Sequence, residues 1–259
     1  MTSLPSSARQ DPDHALSLPS TASAAQPRRK SLLRKYEVAS LTAEGKVHYG
    51  DHIAPASIEF ESAFAAFARG TMIATIDGPC AIEDLQPGMM VQVVDGPPQS
   101  VLWIGSMSLV PSAPVAAPTQ LQLTRIMADS FGLSRPMPDL LLGHAARLLR
   151  SPAEFREYAL QSSVLTPAKA FVDGVNVIEI TPPSPISLFH IGLAQHAIIR
   201  AAGLEVESFH PGMSLLRDMG HSARALFLSL FPHITSDEGF GPLCQPRAGR
   251  HTLEQLHLS

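Results

Sequence analysis

The residues of this sequence that could do nucleophilic, acid–base or metal chemistry are chiefly its eleven histidines and two cysteines. Cys80 and Cys244 are too few for a disulfide framework, and no CxxC or Cys/His cluster has the spacing of a structural zinc site. His144, His190 and His196 could supply three imidazoles to an open zinc site, but none of them belongs to a short i, i+2 or i, i+4 ligand pair. The sequence therefore predicts neither a bound metal nor a cofactor.

Composition and charge narrow the class of protein. The chain has 259 residues, of which 45% are hydrophobic and 16% charged, so it can bury a sizeable core. The formal net charge of −4 offers no overall field for nucleic acid, and nucleic-acid binding is not expected. The sequence has no uninterrupted run of 18 apolar residues, so no membrane-spanning helix is predicted. Residues 1–30 lack the charge order of a secretory signal, so we interpret them as a disordered tail and expect a cytoplasmic protein.

The elements that must position the chemistry are mostly short strands. Apolar residues alternate with a period of two between Asp-Gly and Gly-Pro turns, which indicates an all-β region over 71–210. A small hairpin is predicted upstream, over 36–49. The other predicted strands are 71–76, 90–94, 101–104, 121–126, 140–142, 147–149, 175–180, 187–192, 196–200 and 205–208.

Three short helices are predicted beside these strands. Over 58–69, three phenylalanines recur at spacings of four and three behind a possible Ser57 N-cap. The other two helices are predicted over 152–160 and 223–231. The apolar helices 58–69 and 223–231 could contact a protein partner, or they could equally pack on their own β domain. We predict that Trp103, the single tryptophan, packs in the core.

Three sequence blocks occur in a fixed order across 66–212. They begin with Phe67-Ala68-Arg69-Gly70-Thr71, continue with Pro138-Asp139-Leu140-Leu141-Leu142 and Arg147-Leu148-Leu149, and close with Leu188-Phe189-His190-Ile191, Gln195-His196-Ala197-Ile198-Ile199 and Glu207-Ser208-Phe209-His210-Pro211-Gly212. Together they resemble the bacterial Hint (hedgehog/intein) domain proteins. The resemblance implies an all-β horseshoe fold, flanked here by a tail (1–30), a hairpin and helix (31–65) and a helical extension (213–259).

The resemblance also implies a self-directed reaction. In the family, a cysteine or serine at the first position attacks the carbonyl of the preceding residue and forms a thioester or ester, because a lone pair must make the new acyl bond. A histidine of the second block protonates the departing amide nitrogen. A histidine or aspartate of the third block assists.

This sequence departs from the family pattern where that chemistry lies. The nucleophile position is Ala66 and the second-block histidine position is Ala146. His144 lies two residues from Ala146, about 6.5 Å along a strand, which is too far to replace it without rearrangement. The residual candidates for chemistry are Thr71, His144, His190 and His196. His196 is either a relic of the assisting group or a hydrogen-bonded imidazole, whereas structural roles are expected for His190 and His210.

The functional hypothesis follows from these substitutions. We expect a Hint-domain protein of the bacterial cytoplasm that lacks self-splicing and self-cleavage and acts as a structural or interaction module for an unidentified protein partner. The alternative is an autoprocessing Hint protein that uses a non-standard nucleophile, for which Cys80 is a further candidate. A hydrolase that uses the histidine-bearing cleft, and a precursor cut by outside proteolysis near 28–30, are the other possibilities.

Overall fold

A computed structural model of the chain describes residues 32–115, 117–151, 163–212, 214–234 and 236–248. By its contacts the chain divides into two units, Met1–Lys30 and Ser31–Ser259, and the second contains all the described residues. The predicted disordered tail and the predicted helix over 152–160 therefore lie outside the described residues. Within them, no helix is long and apolar enough to cross a bilayer.

Fifteen strands, all paired antiparallel, dominate the described residues, which confirms the prediction of a mainly β protein. The strands are β1 (Leu33–Leu41), β2 (Val47–Pro55), β3 (Phe67–Ala68), β4 (Met72–Thr75), β5 (Gly78–Ala81), β6 (Met90–Val91), β7 (Gln99–Leu109), β8 (Leu123–Ile126), β9 (Leu140–Leu142), β10 (Arg147–Arg150), β11 (Val164–Pro167), β12 (Val177–Ile180), β13 (Ile186–Leu193), β14 (Ile198–Ala201) and β15 (Leu204–Glu207). The α-helices are α1 (Ile58–Glu61), α2 (Leu215–Asp218) and α3 (His221–Leu228), and 3₁₀ turns occupy Pro118–Leu121, Ala168–Phe171 and Asp237–Phe240.

The eleven-residue strand β7 links the parts of the sheet. The strand order is β11-β10-β15-β14-β4-β6-β7-β13-β3-β9-β8-β12, and β1 pairs with β7 while β2 pairs with β1. The predicted hairpin is thus present as β1 and β2, and it extends the sheet that carries the three sequence blocks. Because β13 pairs with both β7 and β3, the third block lies between β7 and the start of the first block.

Buried side chains form two hydrophobic clusters. One lies around Ile73, Ile191 and Val206 in the strands of the Hint-like region. The other surrounds Trp103, which is fully buried and donates its indole N–H to the carbonyl of Leu230 at 2.7 Å. The core role predicted for Trp103 is therefore confirmed. The second cluster also contains Tyr36, Phe60, Phe64, Phe227, Leu230 and Phe231, so residues on both sides of the Hint-like region pack against it.

The predicted helix over 58–69 is wrong in extent. Helix α1 ends at Glu61, and Phe67 and Ala68 form β3, which pairs with β9 and β13. The phenylalanine spacing fits a helix, but this segment is buried on all sides. A strand buried on both faces does not alternate apolar and polar residues, so the sequence carries no strand signal here. The helix predicted over 223–231 is present as α3, three residues shorter at its end.

Besides β3, two further strands, β5 and β11, lie outside the predicted strands. Strand β5 contains Pro79 next to Gly78, and this pair resembles a turn. Among the described strands it pairs with β4 alone, so Pro79 lies on an edge strand where a missing N–H is tolerated. The Gly-Pro signal is therefore compatible with both a turn and an edge strand.

Gly105 offers a test of the packing around Trp103. A Cβ on Gly105 would lie 2.2 Å from the Trp103 ring and 2.6 Å from Phe64. We expect Gly105→Ala to lower the free energy of unfolding by about 1–3 kcal/mol, because both rings must shift. Urea denaturation measures this loss in the free energy of unfolding. In the control Gly220→Ala, the new methyl meets nothing within 4 Å, and we expect a change below about 0.5 kcal/mol. Equal effects of the two substitutions would contradict this packing.

Candidate functional site

Ala66 lies in a buried segment that contacts the other two blocks. Residues from Ala63 to Ala68 are at most 1% exposed. The N–H of Ala66 donates to the carbonyl of Phe189 at 3.0 Å, and the carbonyl of Ala66 accepts from the N–H of Gly143 at 2.9 Å. The structure therefore places the predicted nucleophile position beside the second and third blocks.

The peptide bond before Ala66 is held by the second block. The carbonyl of Ala65 accepts a hydrogen bond from the N–H of Ala145 at 3.0 Å. A Cβ on Gly143 would lie 2.2 Å from the Ala65 carbonyl oxygen, so only glycine allows the two backbones to approach this closely. The bond on which the family's chemistry would act is therefore fixed in place, and its carbonyl has a hydrogen-bond donor.

Ala146, at the predicted general-acid position, is buried in the first hydrophobic cluster. Its N–H donates to the carbonyl of Gly143 at 3.1 Å, and its carbonyl accepts from the N–H of Ala168 at 2.9 Å. Its methyl group has no proton to transfer. The position contributes packing and backbone hydrogen bonds only.

His144 lies in the turn between β9 and β10. Both of its ring nitrogens are enclosed, and neither has a hydrogen-bond partner among the described residues. Burial, followed by the positive charges of Lys169, Arg147 and Arg34, lowers the pKa of His144 to about 4. The imidazole is therefore neutral near pH 7, and it is not hydrogen-bonded to the peptide bond before Ala66.

His190 is a buried residue of β13. Its ring packs edge-to-face against Phe67 at 5.8 Å and Phe209 at 5.3 Å between centroids. Burial lowers the pKa of His190 to about 3, which keeps the ring neutral. These contacts are those of an imidazole in an aromatic core. Among the described residues, no group of three or more histidine, cysteine or acidic side chains has the arrangement of a metal site.

Thr71 and Cys80 are not activated nucleophiles in this arrangement. The hydroxyl of Thr71 is buried and donates to the carbonyl of Ala68 at 2.7 Å, where it closes the turn after β3. Cys80 is half-buried, and burial raises the pKa of its thiol, as do the negative charges of Asp84 and Glu83. A thiol with a raised pKa is mostly protonated near pH 7 and is a poor nucleophile.

The most densely connected polar group of the site is the carboxylate of Glu207, which is only 2% exposed. Its Oε1 lies 3.0 Å from Nε2 of His196 and accepts a hydrogen bond from Nε of Arg247 at 2.8 Å. Its Oε2 lies 3.7 Å from Nη1 of Arg147. Glu207 therefore joins the end of β15 to the second block, the third block and the C-terminal segment.

The hydrogen bonds of His196 fix its tautomer. Its Nδ1 accepts from the backbone N–H of Cys244 at 3.0 Å, so the ring proton must lie on Nε2, which faces Glu207. Burial alone would raise the pKa of Glu207. The close contact with His196 and the charges of Arg247 and Arg147 outweigh burial and hold that pKa at about 2. The carboxylate is therefore ionised throughout the neutral range.

A C-terminal segment, residues 241–248, covers one side of this cluster. Arg247 donates to the carbonyl of His210 at 2.7 Å, and Nε2 of His210 lies 2.9 Å from the carbonyl of Gly241. Burial is the main reason that the pKa of His210 falls to about 4. Beside the cluster is a cavity of about 250 Å³. Its lining includes Ala145, Arg147, His190, Glu207, His210 and Arg247.

Sequence reasoning missed the central role of Glu207 and its two arginines. Glu207 was part of the third block, but nothing marked it as buried or paired. Arg147 is 60 positions before it and Arg247 40 positions after it, so no local spacing relates the three residues. The usable signal was weak, a glutamate at the end of a strand that also contains Glu205.

Comparisons with known proteins assign the family. A model of the Hint domain family matches residues 65–213, more than half of the chain, and the chain belongs to this family. The fold class is therefore a mainly β, Hint-like fold, as predicted. Among solved structures, the chain is similar to a bacterial intein-like domain from Clostridium thermocellum, with 11% identity and a TM-score of 0.36 over 56% of this chain and 99% of that one. No curated protein matches.

Glu207→Gln tests the buried ion cluster through its pH dependence. Because the pKa of Glu207 is about 2 instead of 4.5, its ionised form adds about 3 kcal/mol to the free energy of unfolding above pH 4.5. Wild type loses this contribution as the pH falls from about 4.5 towards 2, whereas the glutamine variant never has it. We therefore expect a deficit of about 3 kcal/mol at pH 7 that narrows below pH 4.5.

Urea denaturation at several pH values measures this deficit. The exposed carboxylate of Glu179 on β12 supplies the control, and Glu179→Gln should change stability by less than about 0.5 kcal/mol. A Glu207→Gln deficit that stays constant down to about pH 3 would contradict the depressed pKa.

Proposed function

We propose that this chain is a Hint domain that has lost its self-processing chemistry and acts as a structural or interaction module. The observation that carries the proposal is the side chain of Ala66. A methyl group has no lone pair with which to attack the carbonyl of Ala65, so the first covalent step of the family's reaction has no nucleophile. The surrounding hydrogen bonds and full burial of Ala66 favour a structural role at this position.

The proton-transfer position supports the same conclusion. General acid assistance is worth about 10²- to 10⁴-fold in rate, and Ala146 has no group that could provide it. His144 is nearby in sequence, but with a pKa of about 4 it carries almost no proton to donate at neutral pH. Two side chains that the family's reaction uses are therefore absent from these positions.

The position of the residues before Ala66 also favours a domain that stays intact. Phe60 and Phe64 pack in the same hydrophobic cluster as Trp103 and Phe231. Strand β1 is hydrogen-bonded to β7 over five residue pairs. Cleavage before Ala66 would separate β1, β2 and α1 from the strands that they cover. In this chain, the bond at which the family reacts lies inside one shared core.

The alternative is self-processing with a different nucleophile. It is favoured by one observation, the retained cavity that His190, Glu207 and His210 line. Against it, the hydroxyl of Thr71 is engaged with the carbonyl of Ala68, and the thiol of Cys80 has a raised pKa. These two residues are the ones to test if processing is observed.

Intact-mass spectrometry distinguishes the two functions. We expect the purified full-length chain to keep its mass after prolonged incubation with hydroxylamine, because no ester or thioester forms for hydroxylamine to cleave. A fragment that ends at Ala65 as a hydroxamate would refute the proposal.

Two variants serve as controls for that outcome. If a fragment appears in the wild type and is absent from Thr71→Val or Cys80→Ala, then the missing side chain is the non-standard nucleophile and the alternative function is correct. Circular dichroism of each variant must match the wild type, so that loss of the fragment reports chemistry and not unfolding.

A further inference from the structure

Strand β2 has a free edge. Among the described strands, only β1 pairs with β2. The β1–β2 register runs without a bulge over nine residue pairs, from Leu33 opposite Pro55 to Leu41 opposite Val47. A long, regular edge with unpaired backbone groups is a template for pairing with another strand. Proteins usually protect such edges with lysine, proline or bulges, but within β2 only the terminal Pro55 is of this kind.

The hydrogen bonds at the two ends of the hairpin show which groups face the free edge. Thr42 donates to the carbonyl of Lys46, and Ala56 donates to the carbonyl of Leu32. In an antiparallel pair, hydrogen-bonded residues recur at every second position. The even-numbered residues of β2 therefore bond to β1, and the N–H and C=O groups of its odd-numbered residues point outward.

The side chains at this edge are open to solvent. Tyr49 is 67% exposed and Ile53 is 60% exposed, and both are odd-numbered residues on the same face of the hairpin. Asp51 lies between them, and Lys35 of β1 is 3.0 Å from its carboxylate. The negative charge of Asp51 is therefore already balanced by Lys35 of the same chain.

The sequence of β2 is nearly symmetric about Gly50. It runs Val47-His48-Tyr49-Gly50-Asp51-His52-Ile53. A histidine lies two positions from Gly50 on each side, and a β-branched aliphatic residue lies three positions away on each side. A two-fold antiparallel pairing places position 50 + k of one copy opposite position 50 − k of the other. Such a two-fold interface requires a self-complementary patch, and this strand has one.

We propose that a second copy of this chain pairs with the free edge of β2, with the two-fold axis at Gly50. In this register Val47 lies opposite Ile53 of the second copy, and Tyr49 lies opposite Asp51 of the second copy. All of these are odd-numbered residues, so their outward backbone groups form the hydrogen-bonded pairs. The two sheets then continue as one.

Gly50 suits the centre of such an interface. The two glycines face each other as a non-hydrogen-bonded pair, the position at which antiparallel strands lie closest. In each chain, Nε2 of His52 and Nε2 of His48 lie 3.2 and 3.8 Å from the point that a Cβ of Gly50 would occupy. The absence of a side chain at position 50 thus leaves room for the imidazoles of both copies, since His48 of each copy lies opposite His52 of the other.

This pairing gives the proposed interaction module a partner, and its structural basis is independent of the missing chemistry because β2 precedes Ala66. The oligomeric state therefore tests it separately from the intact-mass experiment. A monomeric chain that does not process itself would refute only the pairing. A dimeric chain that cleaves itself would refute only the proposed loss of activity.

Tyr49→Pro removes an outward N–H and adds a ring at the free edge, without removing a hydrogen bond to β1. We expect light scattering to give twice the chain mass for the wild type, and the proline variant to dissociate at least about tenfold more readily. The control Tyr49→Thr keeps the N–H and the strand preference and should remain dimeric. A monomeric wild type, or a dimer that Tyr49→Pro leaves unchanged, would overturn the proposal.

Cysteine cross-linking tests the register. In a chain with Cys80→Ala and Cys244→Ser, the Cα atoms of Val47→Cys in one copy and Ile53→Cys in the other would be about 5.5 Å apart, within the range of a disulfide. Mild oxidation should therefore give a covalent dimer on a non-reducing gel. In the control Ile53→Cys, the two cysteines are six residues out of register, about 20 Å apart, and should not cross-link. A dimer in which the double variant does not cross-link, or in which Ile53→Cys alone cross-links as readily, would refute the Gly50-centred register.

Discussion

The burial of the segment around Ala66 is the constraint on which the rest of the structure depends. A backbone without access to water must find partners for its N–H and C=O groups. Here the carbonyl of Ala65, and both backbone groups of Ala66, bond to residues of the second and third blocks, which lie some 80 and 120 positions away. These hydrogen bonds tie the segment to both blocks. In this chain they hold the fold together, whether or not any reaction follows.

The charge cluster around Glu207 imposes a second condition. A buried carboxylate is tolerated only where hydrogen bonds and opposite charges replace the water that it has lost. Arg247 donates a hydrogen bond, Nε2 of His196 lies 3.0 Å away, and Arg147 adds a further positive charge. Because Arg247 comes from the C-terminal segment, that segment is required to compensate a charge on β15. The extension beyond the matched family region thus takes part in the site.

The sequence predicted the class of the fold and the order of most strands, because alternating apolar residues and Asp-Gly turns are local signals. It failed where local and tertiary preferences conflict. The phenylalanines after Ser57 have helical spacing, yet Phe67 lies in a strand because β9 and β13 supply its hydrogen-bond partners. Pro79 resembled a turn residue, yet an edge strand accommodates it.

What the sequence by itself determined is the kind of side chain at the two positions where the family's reaction would need a nucleophile and a proton donor. Alanine at positions 66 and 146 has no nucleophile and no proton donor, and no fold can change that. The tertiary structure alone decided which residues meet at the centre of the site. Glu207, Arg147 and Arg247 are far apart in the chain, and their pairing depends on burial and on how distant strands meet. The type of one side chain decides whether it can form a covalent bond or donate a proton. Ion pairing and loss of solvent depend instead on how many residues pack together.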